Sequence, residues 1–480
     1  MVDTHPPGRL ADRPTPVPEA RKLSKATLPL LCLIPFMLAL DLTAMNNAVP
    51  TIQRDLHFGD ADMAWVIDAY LVTYGGFLLF GGRLSDVIGR RRILMSGIVV
   101  FTVASLAGGF VTGAAAFVAA RLGQGLGAAV MLPAGLSLVA TLFTDPATRV
   151  KGMAAFSAMG AVGAVLGQVI GGLLIEYASW HWLMWMNVPV GVLMLVSAPI
   201  VLPAVPGTAR RLNVGSALIG TTGVSAVVFG VIKAGSLGWS NPTTVAALCV
   251  GGALVVGLVV IEARSSDAIL PIHLLRNRIR AGAFITGALL CAIVCSFTFA
   301  GTNWAQRIHG NSPLQTGSEF VPMAIATIVG AAVAKAAFIR IGARPVLCVG
   351  GASWIAACAL FTQVEPDTRY APLVLIAYIL GGLAQGSVLV AVNLLIVATV
   401  APEEAGTATG VGATAQQVGG AIGLAVLAST MARGGIHSGA DAPHALMHGI
   451  HVGLTIMAGL GVLMVAIAFA TAPARARING

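Results

Sequence analysis

Charge is what this 480-residue chain has least of: 10% of its residues are Asp, Glu, Lys or Arg, against about 25% in soluble domains. The shortage runs along nearly the whole length, because 57% of the residues are apolar and the mean hydropathy is +0.87. A water-soluble fold with one membrane anchor is therefore excluded. Cysteine is also scarce, and Cys32, Cys249, Cys291, Cys295, Cys348 and Cys358 all fall in apolar runs, which argues against an extracellular disulfide framework. Cys291 and Cys295 are one helical turn apart, but no His or carboxylate accompanies them as a metal set would require, so they read as packing residues. The chain has no GxxxxGK[ST] phosphate loop, which disfavours direct use of ATP. It also lacks the buried nucleophile with a base, or the facing His and carboxylate clusters, that an enzyme would show. No metal or cofactor is expected.

What is abundant is apolar length, enough for roughly 13 or 14 spanning helices at about 20 residues each, and glycine, with 58 residues, which lets such helices pack closely. We place fourteen candidate spans. The first six are 27–48, 62–82, 93–111, 114–141, 151–175 and 183–203. Two more, 213–233 and 243–262, stand apart between polar linkers at 202–212 and 262–280. The last six are 281–304, 316–338, 345–363, 371–399, 406–431 and 449–472. The expected organisation is a disordered cytoplasmic tail (1–26), a six-helix bundle (27–203), two additional helices (213–262), a second six-helix bundle (281–472) and a short cytoplasmic tail (473–480). A cleaved signal peptide is not expected, since the first apolar run is too long and contains Asp41.

The net charge of +9 is read from its distribution, not its sum, and no nucleic-acid partner is expected. With the N-terminus inside, 21 of the 28 Lys and Arg residues fall in inner segments and five in outer loops (Arg54, Lys233, Arg307, Arg369, Arg433). The positive-inside rule then puts both termini in the cytoplasm. A weak repeat supports the two bundles: Arg121-Leu-Gly-Gln124-Gly125 is echoed 261 residues later by Gly382-Leu-Ala-Gln385-Gly386. Parallel repeats of this kind are a transporter architecture, with a site between the halves near the midplane.

Asp41 is the sharpest single feature, a carboxylate about 5 Å from the centre of the first span at 1.5 Å per residue. An ionisable residue at that depth is a functional-site hypothesis by default, and burial and a neighbouring cation act on its proton in opposite senses. A fixed structural ion pair is the alternative. Arg121 needs acceptors inside the fourth span, and Asp41 and Asp68 are the carboxylates placed well inside the first bundle. Asp68 reads either as lining the outer part of the same cavity or as a solvated interfacial residue. The stretch Gly82 to Arg92 reads as an inner loop, in which Gly82 and Gly89 permit a close turn, Asp86 favours a helix N-terminus, and Arg83, Arg90 and Arg91 supply partners. It would serve as a latch or purely as a topology signal.

Together these residues resemble the major facilitator superfamily, specifically its drug:proton antiporter branch with fourteen spans. The resemblance rests on Leu40-Asp41-x-Thr with Pro50, on Gly82-Arg83-Leu84-Ser85-Asp86-x-x-Gly89-Arg90-Arg91, and on Arg121-x-x-Gln124-Gly125-x-Gly127. Trp180-x-Trp182, Asn187-x-Pro189-x-Gly191 and Pro271 to Arg278 extend it. It implies that Asp41 couples protons to substrate, that Arg121 supports proton coupling, and that Asp86 with Arg90 belongs to the cytoplasmic gate. Gly160, Gly163, Gly167, Gly171 and Gly172 resemble the antiporter motif of the fifth span, and most of them, three and four residues apart, form one small face for close packing. The motif departs from the family pattern at Gln168, where a proline is usual, so its kink is absent.

The second bundle lacks deep acids. Its polar candidates are Asn303, Gln306, Gln385, Asn393, Gln416 and Gln417, with Glu319 near an outer end. Phe297, Phe299 and Trp304 read either as cavity walls or as core. With Asn46 and Gln124 from the first bundle, the cavity would suit an amphipathic organic compound, cationic or neutral. Lys335 reads as snorkelling or as contacting an anionic substrate. His437, His444, His448 and His451 with Asp441 read as a solvated loop, although His444 and His448 have an i, i+4 metal spacing. The expected function is proton-driven efflux of hydrophobic drugs or antibiotics by alternating access in the cytoplasmic membrane, by a functional monomer whose partners are a small molecule, protons and the bilayer. Export of an endogenous metabolite, lipid or self-made antibiotic, and a non-transporting receptor, are the alternatives.

Overall fold

The computed structural model describes residues 24–58, 65–205, 207, 214–262, 273–400, 405–437 and 442–473. Most of the N-terminal tail, parts of both linkers, Asp441 and most of the C-terminal tail lie outside these residues. Every regular element among them is helical. The first bundle holds α1 (Thr27–Asp55), α2 (Trp65–Ile88), α3 (Arg90–Gly108), α4 (Ala114–Leu142), α5 (Pro146–Tyr177), α6 (His181–Trp185) and α7 (Asn187–Val201). Next come α8 (Val214–Leu237), α9 (Pro242–Glu262) and the short α10 (His273–Arg276). The second bundle holds α11 (Arg278–Asn303), α12 (Pro313–Glu319), α13 (Val321–Ile341), α14 (Ala343–Phe361), α15 (Leu375–Ala398), α16 (Ala405–His437) and α17 (Ala442–Thr471). Single π-helical turns at Trp304–Ile308 and Tyr370–Val374 adjoin α11 and α15.

Among the described residues, twelve helices are long and apolar enough to cross a membrane. A thirteenth is the bent pair Trp65–Leu78 and Phe80–Ile88, which turn by 49°. The chain is a multi-pass membrane protein, but fourteen spans are not confirmed: the apolar part of α8, Leu218–Val231, is shorter than the others.

Several helices begin earlier than the apolar runs predict, because polar caps extend them. Asp145 accepts the Thr148 amide at 2.9 Å with Pro146 in the first turn, and starts α5. Asn277 accepts the amides of Ile279 (2.9 Å) and Arg280 (3.3 Å) and starts α11. Ser312 and Gln315 form a reciprocal capping box at α12. Such caps satisfy amides that have no intrahelical acceptor, and hydropathy does not register them.

Close approach of small residues sets the bundle geometry. The α5 glycines Gly163, Gly167 and Gly171 press on Phe36, Leu40 and Ala44 of α1, and a methyl group built on Gly171 would lie 2.7 Å from the Ala44 Cα. In the second bundle Gly419 and Gly423 of α16 press likewise on Ala288 and Ala292 of α11. Helix α8 joins α2 to α16: Val224, Val228 and Val231 pack with Val72 on one side and with Ala421 and Ala425 on the other.

Two expectations are corrected. Gly82 to Ile88 is not a loop but the last turns of α2, and only Gly89 separates α2 from α3. Glycine and charge make the segment look loop-like, yet Gly82, Arg83 and Asp86 are buried against the bundle end. Lys233, expected in an outer loop, lies inside α8, where aromatic rings shield its ammonium.

Candidate functional site

Four helices of the first bundle bring one acid, one base and three neutral polar side chains together out of contact with solvent. Asp41 of α1 and Arg121 of α4 are both 0% exposed and form an ion pair, with Arg121 Nη1 2.7 Å from Asp41 Oδ2. The other carboxylate oxygen, Oδ1, accepts from Asn187 Nδ2 of α7 at 2.6 Å and from Gln124 Nε2 of α4 at 3.2 Å. Gln124 is fixed in turn: its Oε1 accepts from Arg121 Nη1 at 2.8 Å, and its Nε2 donates to Ser105 Oγ of α3 at 2.7 Å. Arg121 Nε donates to the Val66 carbonyl of α2 at 3.0 Å, and the guanidinium lies 4.7 Å from the centre of the Tyr70 ring.

The electrostatics follow from burial. A carboxylate and a guanidinium taken out of water are tolerated only when paired and further hydrogen-bonded, and Asp41 has three donors. The network is not saturated: Arg121 Nη2 and Asn187 Oδ1 are buried without a hydrogen-bond partner among the described residues. Asp41 is positioned from behind by the α5 glycine stripe, since Gly167 presses on the Leu40 carbonyl beside it.

The second polar constellation lies at one end of the bundle. Asp86 Oδ1 is 3.5 Å from Arg90 Nη2 across the α2–α3 junction, and Asp86 Oδ2 accepts from Thr407 Oγ1 at 3.2 Å. Thr407 is in the first turn of α16, so Asp86 faces a helix N-terminus, although that of the other bundle. Arg90 Nη1 also donates to Thr141 Oγ1 of α4 at 2.6 Å, and Arg91 Nη1 to the Leu202 carbonyl after α7 at 2.8 Å. Arg83 is 4% exposed, and its Nε and Nη2 have no hydrogen-bond partner among the described residues. Gly89 turns the chain at φ 118°, where a side chain is strained.

Comparison with known proteins places this architecture. A sequence profile described as Major Facilitator Superfamily matches residues 31–314. The chain belongs to the Major Facilitator Superfamily. It is 38% identical over 441 residues to the puromycin resistance protein pur8 of Streptomyces alboniger, covering 90% of this chain and 86% of that one. It is 33% identical to the cephamycin export protein CmcT of Amycolatopsis lactamdurans, covering 95% and 94% of the two chains. Among solved structures, the human organic anion transporter MFSD10 has the same fold, with a TM-score of 0.62 at 17% identity over 94% of this chain and 100% of that one. The family and these relatives point to a membrane transporter.

In this superfamily member the remaining expected site residues scatter. Asp68 is half-buried in the first turn of α2, outside the Asp41 network, with Lys233 as the cation acting on it. Asn46 is exposed on α1. Asn303 is 6% exposed and spends its amide on the Phe299 carbonyl at 2.8 Å. Trp304, read as a cavity wall or core, is 1% exposed inside an aromatic cluster with Phe361 and is therefore core. Phe297 is core too, whereas Phe299 is exposed. Gln385 accepts from Thr327 Oγ1 at 3.5 Å within the second bundle. Asn393 Nδ2 of α15 donates to Ser157 Oγ of α5 at 3.0 Å, across the two bundles. Helix α5 runs unbroken through Gln168, whose carbonyl lies where α12 crosses: a methyl on Gly317 would be 2.8 Å from it. Gly172 is buried beside it in the helix.

Glu319 ends α12, where its Oε1 accepts from Asn311 Nδ2 at 2.8 Å and its carbonyl accepts from Tyr370 at 2.7 Å. His444 and His448 lie on α17, and no group of three metal-ligating side chains occurs among the described residues. Two members of the Asp41 network were absent from the expected site. Asn187 was visible only as a motif position and Ser105 not at all, although an amide inside an apolar run is itself a signal for Asn187.

Proposed function

We propose that this transporter exports hydrophobic or amphipathic antibiotics across the cytoplasmic membrane in exchange for protons. The observation that carries the proposal is the wholly buried Asp41–Arg121 pair, in a chain whose relatives include named antibiotic resistance and export proteins. An ionisable pair deep in a spanning bundle is a common place for a proton relay.

The network is built to accept a proton. When Asp41 is charged it takes donors from Arg121, Gln124 and Asn187. When it is protonated it becomes a donor, and the Asn187 amide can rotate so that its unpartnered Oδ1 accepts the new O–H. Arg121 loses its anion but keeps the Gln124 Oε1 and the Val66 carbonyl. The change in charge is thus felt by α1, α2, α3, α4 and α7 together, a bistable contact set of the kind alternating access needs. Contacts between the bundles are present at both ends of the structure: Asp86–Thr407 and Asn393–Ser157 toward one, Ser312–Glu176 at 3.4 Å toward the other. Transport requires them to break in turn. The Asp86 end would be the cytoplasmic gate, with both termini inside and the monomer as the working unit.

The test uses everted membrane vesicles and puromycin as the first compound. Accumulation should need the pH gradient and vanish in Asp41→Asn; accumulation unchanged by both would sink the mechanism. A second reading, export of a self-made antibiotic, is favoured by the cephamycin export relative, of which the chain covers 94%. Metabolite profiling of a deletion strain separates the two.

A further inference from the structure

Four half-buried side chains that the Asp41 network does not use meet between α2 and α8, at the end of the bundle remote from Asp86. Trp65 and Asp68 are three residues apart in the first turn of α2, and Phe229 and Lys233 are four apart near the end of α8, so each pair shares one helix face. The Trp65 and Phe229 rings stand 5.8 Å apart at 35°. The Lys233 ammonium lies 5.3 Å from the centre of the Trp65 ring and 5.8 Å from that of Phe229. It is also the cation whose charge acts on Asp68.

Two aromatic faces beside one positive nitrogen suit an ammonium group, which is attracted within about 6 Å of a ring centroid, and Asp68 on the same face of α2 is near enough for the charge to act on it. Here the nitrogen is the protein's own. It is carried on a flexible four-carbon stem, and the four residues are partly accessible rather than sealed in the core. A lysine inside an apolar helix is costly unless it has such a receptor. A receptor with this fit does not distinguish a tethered ammonium from a free one.

We propose that Trp65, Asp68 and Phe229 form a binding site for organic ammonium groups, which Lys233 fills until a ligand amine displaces it. Its connection to the first bundle is direct: Val66, next to Trp65, is the residue whose carbonyl accepts Arg121 Nε. The proposal concerns binding alone and stands whether or not the chain exports antibiotics.

The experiment titrates full-length protein in lipid nanodiscs with benzyltrimethylammonium, followed by calorimetry. Lys233→Met should bind it about tenfold more tightly than the wild type, the order of a desolvated cation–π contact. Adding Asp68→Asn or Trp65→Leu to Lys233→Met should remove that gain, and the uncharged isostere neopentylbenzene should bind wild type and Lys233→Met equally. Lys233→Gln serves as the second variant if Lys233→Met fails to fold. Affinity in the folded lysine variant equal to or weaker than wild type, or a gain that survives Asp68→Asn, overturns the proposal and leaves Lys233 as a fastener of α8.

Discussion

Helices α4 and α15 carry the same Gln-Gly step and use its glycine in the same way. Gly125 presses on the Tyr70 carbonyl of α2, and Gly386 presses on the Thr327 carbonyl of α13. The residue three positions before the glutamine is where they part: Arg121 in one, Gly382 in the other. Around Arg121 the first bundle assembles a buried ion pair with three neutral partners, whereas Gly382 presses on Met323 and leaves no room for a side chain. The second bundle fills its interior instead with rings, Phe297, Trp354, Phe361 and Tyr378, each 0% exposed. One packing scheme therefore supports two interiors, one built around an ion pair and one filled with rings. We propose that coupling belongs to the first and scaffolding to the second.

The sharpest way to break this contrast is to neutralise Asp41. Asp41→Asn keeps the shape and most hydrogen bonds but cannot gain or lose a proton, so gradient-driven transport in vesicles should fall more than about 100-fold, a change typical of lost proton transfer. Arg121→Met should come next, because it leaves Asp41 buried without its cation; a loss of about 3–5 kcal/mol is typical of such half-broken pairs. The double variant Asp41→Asn with Arg121→Met should recover much of that stability in thermal unfolding, yet remain uncoupled. In the second bundle, Phe297→Ala should cost about 3 kcal/mol through the cavity it leaves and lower the yield of folded protein, while the surviving molecules keep their coupling ratio. Gly89→Ala should cost about 1–3 kcal/mol for a backbone that tolerates only glycine, read as a lower unfolding temperature. Gln385→Leu should have the smallest effect, below about threefold in transport, since its contact with Thr327 is long and neutral.

Much of this contrast was legible in the residues. The scarcity of charge pointed to Asp41 and Arg121, and the Gln-Gly repeat pointed to two related bundles. What was not legible depended on contacts between helices distant in sequence. Asn187 lies 146 residues from the Asp41 it holds, a separation no local pattern encodes. The Asp86 segment looked like a loop because glycine and charge usually mark turns, but burial against the bundle end let it continue α2. Trp304 was ambiguous because a ring on an apolar face looks the same whether it lines a cavity or packs in a core. Lys233 reads as a loop residue because hydropathy alone does not show that two rings await its ammonium.

The central claim is that Asp41 carries the proton that drives export, and substrate-linked proton movement tests it most directly. Purified protein in liposomes loaded with a pH-sensitive dye is given puromycin under an imposed pH gradient. Wild-type protein should show proton flux that rises with puromycin, and Asp41→Asn should bind the compound but show none. Puromycin-dependent proton flux that persists in Asp41→Asn would contradict the account.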